Sequence, residues 1–154
     1  MKIKVINRQK INSSVKKTMG TVLDCRNWPN FIPTVKKVTI LEEKENYMRR
    51  VLHSQINGII IEMETETTYF PMENKIHYRQ LRTPWPLKSN EGTWEAKKIG
   101  NFQVELMLTH IFEVKYSLLG YFIGILIIKP FFIYLHNKKD LLLYKKHIES
   151  HGQD

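Results

Sequence analysis

Hydrophobic and polar side chains alternate along most of the first 115 residues, which is the pattern of β-strands with one covered face. The clearest run spans residues 59–69, where Glu62, Glu64 and Glu66 share one face. Carboxylates at every second position indicate a solvated face, so the opposite face is expected to be covered. That opposite face carries Ile59, Ile61, Met63, Thr65, Thr67 and Tyr69. The same alternation predicts further strands at residues 3–11, 35–43, 47–56, 75–82, 92–98 and 102–115.

A helical spacing of apolar residues follows the first predicted strand. Ser14 is the last of three short polar residues that can cap free backbone N–H groups at a helix start. The positions that then share one face of a helix are Val15, Met19, Val22 and Leu23. Trp28-Pro29 is expected to end this helix, because the residue before a proline disfavours helical backbone angles.

Turn signals separate the predicted strands. Asn57-Gly58 is typical of a tight hairpin turn, and residues 71–74 and 100–101 are interpreted as turns as well. Residues 83–87 are predicted to form a loop, because their two prolines remove donors that a sheet needs.

A long and very apolar segment closes the chain, from about Leu118 to Ser150, and is predicted to be helical. Residues 116–128 carry no charge, and the apolar run continues past Lys129 to Leu135, a length that could span a bilayer. A lysine near the middle of a membrane costs about 2.5–3.5 kcal/mol on insertion scales, which argues against a span. The prediction is a helix buried against the sheet, with peripheral contact between this C-terminal helix and a membrane left open.

The order of these elements predicts the fold class. One short and one long helix bracket an antiparallel sheet within 154 residues, a length that suits a single domain over residues 1–154. We expect an α+β fold in which a curved sheet wraps around the long C-terminal helix. One helix cannot fill such a sheet completely, so a largely apolar internal cavity is predicted between them, and with it the binding of a small molecule.

The net charge raises the question of the partner. It is formally +9, with a pI of about 9.6, which would suit nucleic acid or an anionic membrane. The basic residues are scattered in pairs, however, and no nucleic-acid-binding motif accompanies them. A solvated basic surface is therefore favoured, no nucleic-acid partner is predicted, and the oligomeric state stays open.

Metal and cofactor chemistry has no visible motif in this sequence. Cys25 is the single cysteine, which excludes an intramolecular disulfide and a cysteine metal cluster. His147 and His151 are spaced i, i+4, but they lie in a tail that is expected to fray, so no metal site is predicted there. No phosphate loop or nucleophile motif is found, and we expect no cofactor. The first residues lack the apolar core of a signal peptide, so a cytoplasmic location is expected by elimination.

Three stretches of the sequence together resemble a known superfamily. They contain Trp28-Pro29-Asn30-Phe31-Ile32-Pro33 after the first helix, Glu91-Gly92-Thr93-Trp94-Glu95-Ala96, and Thr109-His110-Ile111-Phe112-Glu113-Val114. In this order they resemble the START-related polyketide cyclase and coenzyme Q-binding superfamily (SRPBCC).

The resemblance implies a helix-grip fold with an internal cavity for a hydrophobic small molecule. The cyclase branch implies a cofactor-independent polyketide cyclase/dehydratase of the aromatase kind. The coenzyme Q-binding branch implies a non-catalytic quinone or lipid carrier. The apolar tail of this chain departs from the aromatase pattern and favours a lipophilic ligand or a membrane contact.

Three residues are candidates for chemistry. His110 interrupts an otherwise apolar strand face and could move a proton, although a hydrogen-bonded core histidine would give the same pattern. If the face that carries Tyr78 and Arg82 is concave, Arg82 could bind a ketone or enolate oxygen and Tyr78 could move a proton. If that face is convex, Arg79 points inward instead, since a one-residue shift of register exchanges the two faces.

The predicted ligand contacts are aromatic and apolar side chains with a few hydroxyl and amide groups, as is usual for small-molecule cavities. They are Trp28, Phe31, Met63, Thr65, Thr67, Gln80, Trp94, Leu108 and Phe112. Trp85 is grouped with the other two tryptophans and Phe31 as a wall or mouth of the cavity. Ordinary core and sheet packing would place the same residue types there.

Overall fold

Seven antiparallel strands form one curved sheet in the computed structural model, which describes residues 1–56, 58–115 and 117–151. The strands are β1 (Lys2–Ile11), β2 (Val35–Lys44), β3 (Tyr47–Ile56), β4 (Ile59–Phe70), β5 (Lys75–Arg82), β6 (Leu87–Gly100) and β7 (Gln103–Val114). Their order across the sheet is β1-β7-β6-β5-β4-β3-β2, so β1 forms an edge beside β7. This is the expected α+β architecture, a curved sheet around a C-terminal helix.

Helices follow β1 and β7. α1 (Val15–Leu23) begins after Ser14, whose Oγ accepts a hydrogen bond from the Lys17 N–H at 3.1 Å, as the capping pattern predicts. α1 ends earlier than expected, because the Asp24 backbone leaves the helical region with ψ at 66°. Trp28-Pro29 lies in a separate 3-10 helix instead, Cys25–Asn30. After β7 come α2 (Ser117–Ile123), a π-helix (Gly124–Tyr134) and α3 (Leu135–Ser150).

Two hydrophobic clusters hold the helices on the inner face of the sheet. The main core lies between the sheet, α1 and α3, and α3 contributes the fully buried ridge Leu141, Tyr144 and Ile148, spaced i, i+3 and i+7. The second cluster lies between β1, the end of β7 and the π-helix, and consists of Ile3, Val5, Phe112, Val114 and Ile128. The C-terminal segment therefore meets the sheet in two separate places.

Strand ends differ from the pattern-based expectation. Ile59 is expected on the covered face, but it is exposed, because it lies at an end of the sheet outside both clusters. Phe102, expected on the apolar face of the last strand, lies in the turn before β7 and is exposed too. β6 begins at Leu87, directly after the loop with two prolines, and is longer than the predicted strand at 92–98.

Two predictions fall partly outside the described residues. Of the hairpin turn Asn57-Gly58, only Gly58 is described, and its φ of 81° suits such a turn. Tyr116, at the start of the uncharged run, also lies outside the described residues.

The C-terminal segment is helical from Leu118 to Ser150, yet its first half is mostly exposed. Gly120, Gly124 and Ile128 form its buried stripe, and a Cβ at Gly124 would lie only 2.4 Å from Ile3 Cδ1. The large apolar residues that it exposes most are Leu118, Leu119, Phe122, Leu126, Ile127 and Phe131. The expectation that the whole apolar run is buried is therefore wrong, because the edge formed by β1 and β7 covers one narrow stripe.

The π-helix surrounds Pro130. A proline has no N–H to donate, and the wider hydrogen-bonding register of a π-helix carries the chain past it. At the end of this segment the Leu135 N–H donates to the Pro130 carbonyl. The Tyr134 carbonyl accepts a hydrogen bond from Asn7 Nδ2 at 3.2 Å, which ties the segment to β1.

Candidate functional site

Five polar side chains cross the inner face of the sheet from β3 to β7. They are Arg50, Thr65, Gln80, Tyr78 and His110, and we call them the polar row. The strand register pairs Thr65 with both Arg50 and Gln80, while Tyr78 is the next inward residue of β5 and reaches His110 on β7. Six buried polar side-chain atoms have no hydrogen-bond partner among the described residues, and four of them belong to the row: Arg50 Nε, Thr65 Oγ1, Gln80 Oε1 and His110 Nε2. The other two are Ser13 Oγ and Thr18 Oγ1. Buried polar groups are nearly always paired, so this row marks a surface suited to a polar ligand.

Arg50 is the most unusual member of the row. It is 7% exposed and lies on the same strand face as Met48 and Leu52. Its Nη1 donates to Thr67 Oγ1 at 3.2 Å, and its Cζ lies 4.9 Å from the centre of the Trp28 ring, a cation–π contact. Within the described part of the chain it forms no ion pair with a carboxylate.

Its neighbour Arg49 shows the ordinary alternative. Arg49 points to the outer face, where its Nε donates to Glu64 Oε1 at 2.6 Å. Burial lowers the pKa of the Arg50 guanidinium, because a charge loses hydration in the interior. A guanidinium nevertheless stays charged in proteins, so the surroundings of Arg50 favour an anion or a strong oxygen acceptor.

A cavity of about 250 Å³ lies beside Arg50. It is bounded by α1, the 3-10 helix, the turn between β2 and β3, and the inner faces of β4, β5 and β6. Besides Arg50, its lining includes Trp28, Met48, Thr67, Tyr69, Ile76 and Trp94. Arg26 and Glu43, both about half exposed, form an ion pair of 2.5 Å at its rim. The expected cavity therefore lies closer to α1 than to α3, and its lining is mixed rather than largely apolar.

Three predicted ligand contacts surround one buried tyrosine of α3. The rings of Trp28, Phe31 and Trp94 lie 6.2, 5.1 and 5.2 Å from the Tyr144 ring, each edge to face. Trp28 and Trp94 also line the cavity, whereas Phe31 stacks on His147 at 4.1 Å. The same tryptophans therefore hold α3 in place and form the cavity wall.

Gly92 makes room for Tyr78 to reach His110 across β6. A Cβ at Gly92 would lie 2.6 Å from Tyr78 Oη and 1.8 Å from the Thr109 carbonyl oxygen, so only glycine fits. Tyr78 Oη is hydrogen-bonded to His110 Nδ1 and also lies within donating distance, 3.3 Å, of the Thr109 carbonyl oxygen. The glycine in the middle of this strand thus permits the tyrosine–histidine pair.

His110 is neutral at physiological pH. Burial lowers its pKa to about 4, and the side chain of Asn137 on α3 opposes part of the shift. Nδ1 lies 3.4 Å from Asn90 Oδ1 in addition to its bond with Tyr78, while Nε2 has no partner of hydrogen-bonding geometry among the described residues. Nε2 can donate to a ligand if Tyr78 donates to Nδ1, and can accept if Nδ1 carries the proton.

The register of β5 decides where the candidate arginines lie. Arg79 faces outward and pairs with Glu66, with Nη2 2.6 Å from Oε1. Arg82 is exposed at the end of β5, where an irregularity in the pairing sets it opposite Glu64, an outer-face residue. The structure therefore brings neither of them to the cavity, which is lined by Arg50 inside and by Arg26 at its rim.

The other predicted contacts divide between the polar row and the hydrophobic clusters. Met63 lies beside the row, with its Sδ 3.3 Å from Gln80 Nε2. Leu108 belongs to the main core, and Phe112 belongs to the second cluster, away from the cavity lining. Trp85 is 73% exposed in the loop before β6 and is not among the residues that line the cavity.

Sequence reasoning missed Arg50. Arg49-Arg50 looks like one of several basic surface pairs, but of two neighbours in a strand only one can face outward. Arg50 shares its face with Met48, Leu52 and Ser54, the partly apolar face of β3. That alternation is the signal that could have identified it.

The fold and this site define a START-like protein, in which a helix-grip sheet encloses a cavity with buried polar groups. The profile of the polyketide cyclase / dehydrase and lipid transport family matches residues 11–135, and the chain belongs to that family. No curated protein sequence matches the chain significantly.

Solved structures with this fold include enzymes and a protein known by its superfamily. Zhui aromatase/cyclase from a Streptomyces species is 20% identical, with a TM-score of 0.85 over 98% of this chain and 96% of its own. A START superfamily protein from Mycobacterium smegmatis is 18% identical, with a TM-score of 0.75 over 97% and 99%. Norcoclaurine synthase from Thalictrum flavum is 11% identical, with a TM-score of 0.75 over 98% and 88%. At these identities the likeness shows the shared fold.

Proposed function

We propose that this protein binds an oxygen-rich, largely unsaturated small molecule of polyketide type, and that Arg50 receives one of its ketone, enolate or phenolate oxygens. The observation that carries the proposal is the buried guanidinium of Arg50, which pairs with no carboxylate of the described residues and lines an aromatic cavity. Membership of a family of polyketide cyclases and lipid-transport proteins supports this ligand class.

The size of the cavity limits the part of the ligand that it holds. Its volume of about 250 Å³ lies just below the usual range of about 300–1,000 Å³ for small-molecule sites. One or two aromatic rings suit that space, with flat contacts against Trp28 and Trp94. The other four members of the polar row lie outside the lining of this cavity, so a longer ligand reaches them only if side chains beside the cavity move aside.

The polar row favours a ligand with several oxygens. Arg50 on β3 and His110 on β7 are four strand spacings apart in the sheet order, about 19 Å along the sheet at ~4.8 Å each. A ligand that contacts both must be extended and must carry polar groups at intervals, as a poly-β-ketone does. A compact quinone head with an apolar tail would match only one end of the row.

In this binding mode Arg50 and His110 have different roles in a cyclisation reaction. Arg50 stabilises the negative charge that develops on an enolate oxygen. Neutral His110, with Tyr78 hydrogen-bonded to Nδ1, exchanges a proton through Nε2 at the far end of the ligand. The remaining contribution is the folding of the chain so that the reacting carbons meet.

A non-catalytic carrier of a quinone or lipid is the second candidate, and one observation favours it. Glu43 is the one carboxylate among the described residues of the cavity lining, and Arg26 is paired with it. Arg50 therefore has no free carboxylate beside it that could remove a proton from the ligand. In a carrier, Arg50 holds a quinone or lipid oxygen and no bond of the ligand changes.

Replacing Arg50 by methionine tests the binding hypothesis. Arg50→Met keeps an unbranched apolar side chain and removes the guanidinium charge, and Arg49→Met removes the neighbouring outer-face charge as a matched control. The probes are dihydroxynaphthalene and naphthalene, which share rings but differ in oxygens, and binding is followed by tryptophan fluorescence. We expect Arg50→Met to weaken dihydroxynaphthalene binding about 10- to 100-fold, the effect of one hydrogen bond to a charged group, and to leave naphthalene binding unchanged. Equal affinity of wild type and Arg50→Met for dihydroxynaphthalene, or no saturable binding of either probe, would overturn the proposal.

Product analysis separates a cyclase from a carrier. A linear poly-β-ketone, released by a minimal polyketide synthase, is offered to the wild type, Arg50→Met and His110→Gln. A cyclase enriches one ring pattern over the spontaneous mixture, and both variants lose that enrichment. A carrier binds the chain and leaves the spontaneous ratio unchanged. Arg82→Gln, exposed and away from the cavity, is the control that should behave as wild type.

A further inference from the structure

The first half of the C-terminal helical segment exposes a continuous apolar surface. We define the apolar surface as Leu118, Leu119, Phe122, Leu126 and Phe131, each more than half exposed. The opposite side of the same segment, with Gly124 and Ile128, packs on the second cluster. Apolar patches of this kind on a folded protein mark contacts with a partner or a membrane.

Further exposed apolar residues lie at the end of the sheet where this segment begins. In the antiparallel order, the β3–β4 turn, the β5–β6 loop and the end of β7 share one end of the sheet. Ile59 and Ile60, the first two residues of β4, and Trp85 in the β5–β6 loop lie at this end, and each is more than half exposed. The Lys115 N–H donates to the Pro86 carbonyl at 3.1 Å, so the loop that carries Trp85 touches the start of the segment. Tryptophan is a residue typical of membrane interfaces.

The charged residues within the apolar segment and immediately flanking it in sequence are lysines. Between Glu113 and Asp140 the sequence has no carboxylate, and its lysines there, all exposed, are Lys115, Lys129, Lys138 and Lys139. A second copy of the chain would bring these lysines against one another, so charge disfavours self-association through this surface. The head groups of anionic lipids complement the lysines, and the acyl boundary beneath them accepts the apolar side chains.

The buried stripe distinguishes a helix that lies in the membrane interface from one that crosses the bilayer. Crossing would remove Gly124 from its close contacts with Ile3 and Val114 and Ile128 from the second cluster. It would also place Lys129 in the hydrocarbon region. A helix in the plane of the interface keeps these contacts and leaves Lys129 among the head groups.

We propose that the apolar surface docks the protein peripherally on an anionic lipid bilayer, with the segment in the plane of the interface and the lysines against lipid phosphates. The docking surface is separate from the cavity, whose rim lies by the β2–β3 turn, at the opposite end of the sheet from the β3–β4 turn. A docked molecule therefore keeps the Arg26–Glu43 rim toward water, so the ligand exchanges with the aqueous side.

Vesicle co-sedimentation of the full chain tests the proposal. We expect binding to phosphatidylcholine vesicles that contain phosphatidylserine, and much weaker binding to phosphatidylcholine alone. The variant Leu118→Gln/Phe122→Gln/Leu126→Gln should lose at least about tenfold in partitioning, since it removes apolar side chains from the interface. Lys138→Gln/Lys139→Gln should lose about fivefold for each lysine, the fold-change that corresponds to ~1 kcal/mol.

Matched controls come from the opposite end of the sheet. Met72→Gln and Phe102→Gln remove exposed apolar side chains there, Lys97→Gln/Lys98→Gln removes a basic pair, and all should bind vesicles as wild type. Thermal unfolding checks that each variant is folded, and dihydroxynaphthalene binding by the triple variant should be unchanged. The proposal fails if the wild type does not sediment, if the triple variant sediments equally, if only detergent releases the protein from membranes, or if the wild type is a dimer that the triple variant converts to monomer.

Discussion

The two halves of the C-terminal helical segment reverse the usual relation between composition and burial. α2 and the π-helix contain one charged residue, Lys129, yet expose most of their large side chains. α3 is rich in lysine and histidine, yet it buries Leu141, Tyr144 and Ile148 completely. The difference arises from the part of the sheet that each half contacts. α3 packs in the main core, whereas the first half of the segment contacts the second cluster, beside the edge strand β1.

This comparison separates two properties that a hydropathy profile combines. The spacing of a few large residues, as in the ridge of α3, determines which helix the sheet grips. The mean hydropathy of the first half instead reflects residues that the sheet does not cover. If that interpretation is right, the polar half stabilises the fold and the apolar half serves contacts outside it.

Truncation of one aromatic ring in each half should give the largest difference. Tyr144→Ala is expected to lower the free energy of unfolding by about 3–5 kcal/mol, because Tyr144 is fully buried against Trp28, Phe31 and Trp94. Phe131→Ala, in the exposed half, should change it by less than about 0.5 kcal/mol. Urea unfolding measures both. Similar losses for the two variants would show that the halves contribute equally.

The region beneath α3 should also carry a pH dependence. Burial holds the pKa of His110 at about 4, below its ordinary 6.5, so between these values the unfolded chain binds the extra proton. The stability is therefore fully present above about pH 6.5 and falls by roughly 3 kcal/mol as the pH drops to about 4. Burial raises the pKa of Asp140, which acts in the opposite direction, so the test is the difference between wild type and His110→Gln. Parallel stability–pH curves for the two proteins would contradict the assignment.

A smaller effect should show how closely the apolar half touches the sheet. A methyl group at Gly124 would lie 3.0 Å from Val114 Cγ2 and closer still to Ile3, so Gly124→Ala should destabilise the protein by about 1–2 kcal/mol. Gly20 in α1 has no atom within 4 Å of the added carbon, and Gly20→Ala should stabilise by up to about 1 kcal/mol. Thermal unfolding of both variants gives the sign of each change. A stabilising Gly124→Ala would mean that the first half is only loosely packed.

The smallest effect distinguishes Thr65 and Thr67, two threonines on the inner face of β4. Thr65 Oγ1 is buried without a partner among the described residues, so Thr65→Val should stabilise by about 0.5 kcal/mol and weaken binding of an oxygenated ligand. Thr67 Oγ1 accepts from Arg50 and donates to the Met48 carbonyl at 3.3 Å, so Thr67→Val should destabilise by about 1 kcal/mol. Chemical unfolding with and without dihydroxynaphthalene measures both properties. A destabilising Thr65→Val would show that its hydroxyl is already satisfied.

The fold was predictable because its strands have one solvent-exposed face, which the sequence shows as polar residues at alternate positions. Glu62, Glu64 and Glu66 mark the outer face of β4, and the order of strands and helices then leaves few architectures. The exposure of Ile59 was not predictable, because alternation indicates a face and not how far along the sheet the helices extend.

The candidate site was only partly predictable because it depends on contacts between distant strands. The inward direction of Tyr78 and Gln80 depends on the pairing of β5, which has an irregularity next to Arg82. The pairing of Tyr78 with His110 depends on an absent side chain at Gly92 in the intervening strand. The alternation in β3 could have predicted that Arg50 faces inward, but the pair Arg49-Arg50 resembles the basic pairs found on a protein surface.

The π-helix around Pro130 affects how the length of this chain can change in evolution. At about 100° per residue, Ile128 and Leu141 would lie on nearly opposite sides of an uninterrupted α-helix, yet here both face the sheet. The wider turns between Gly124 and Tyr134 rotate the chain less per residue and so change the angle between the two contact faces. A deletion of one residue in this stretch would turn either the glycine stripe or the α3 ridge away from the sheet. Substitutions that keep the residue count should therefore be tolerated there more readily than insertions or deletions.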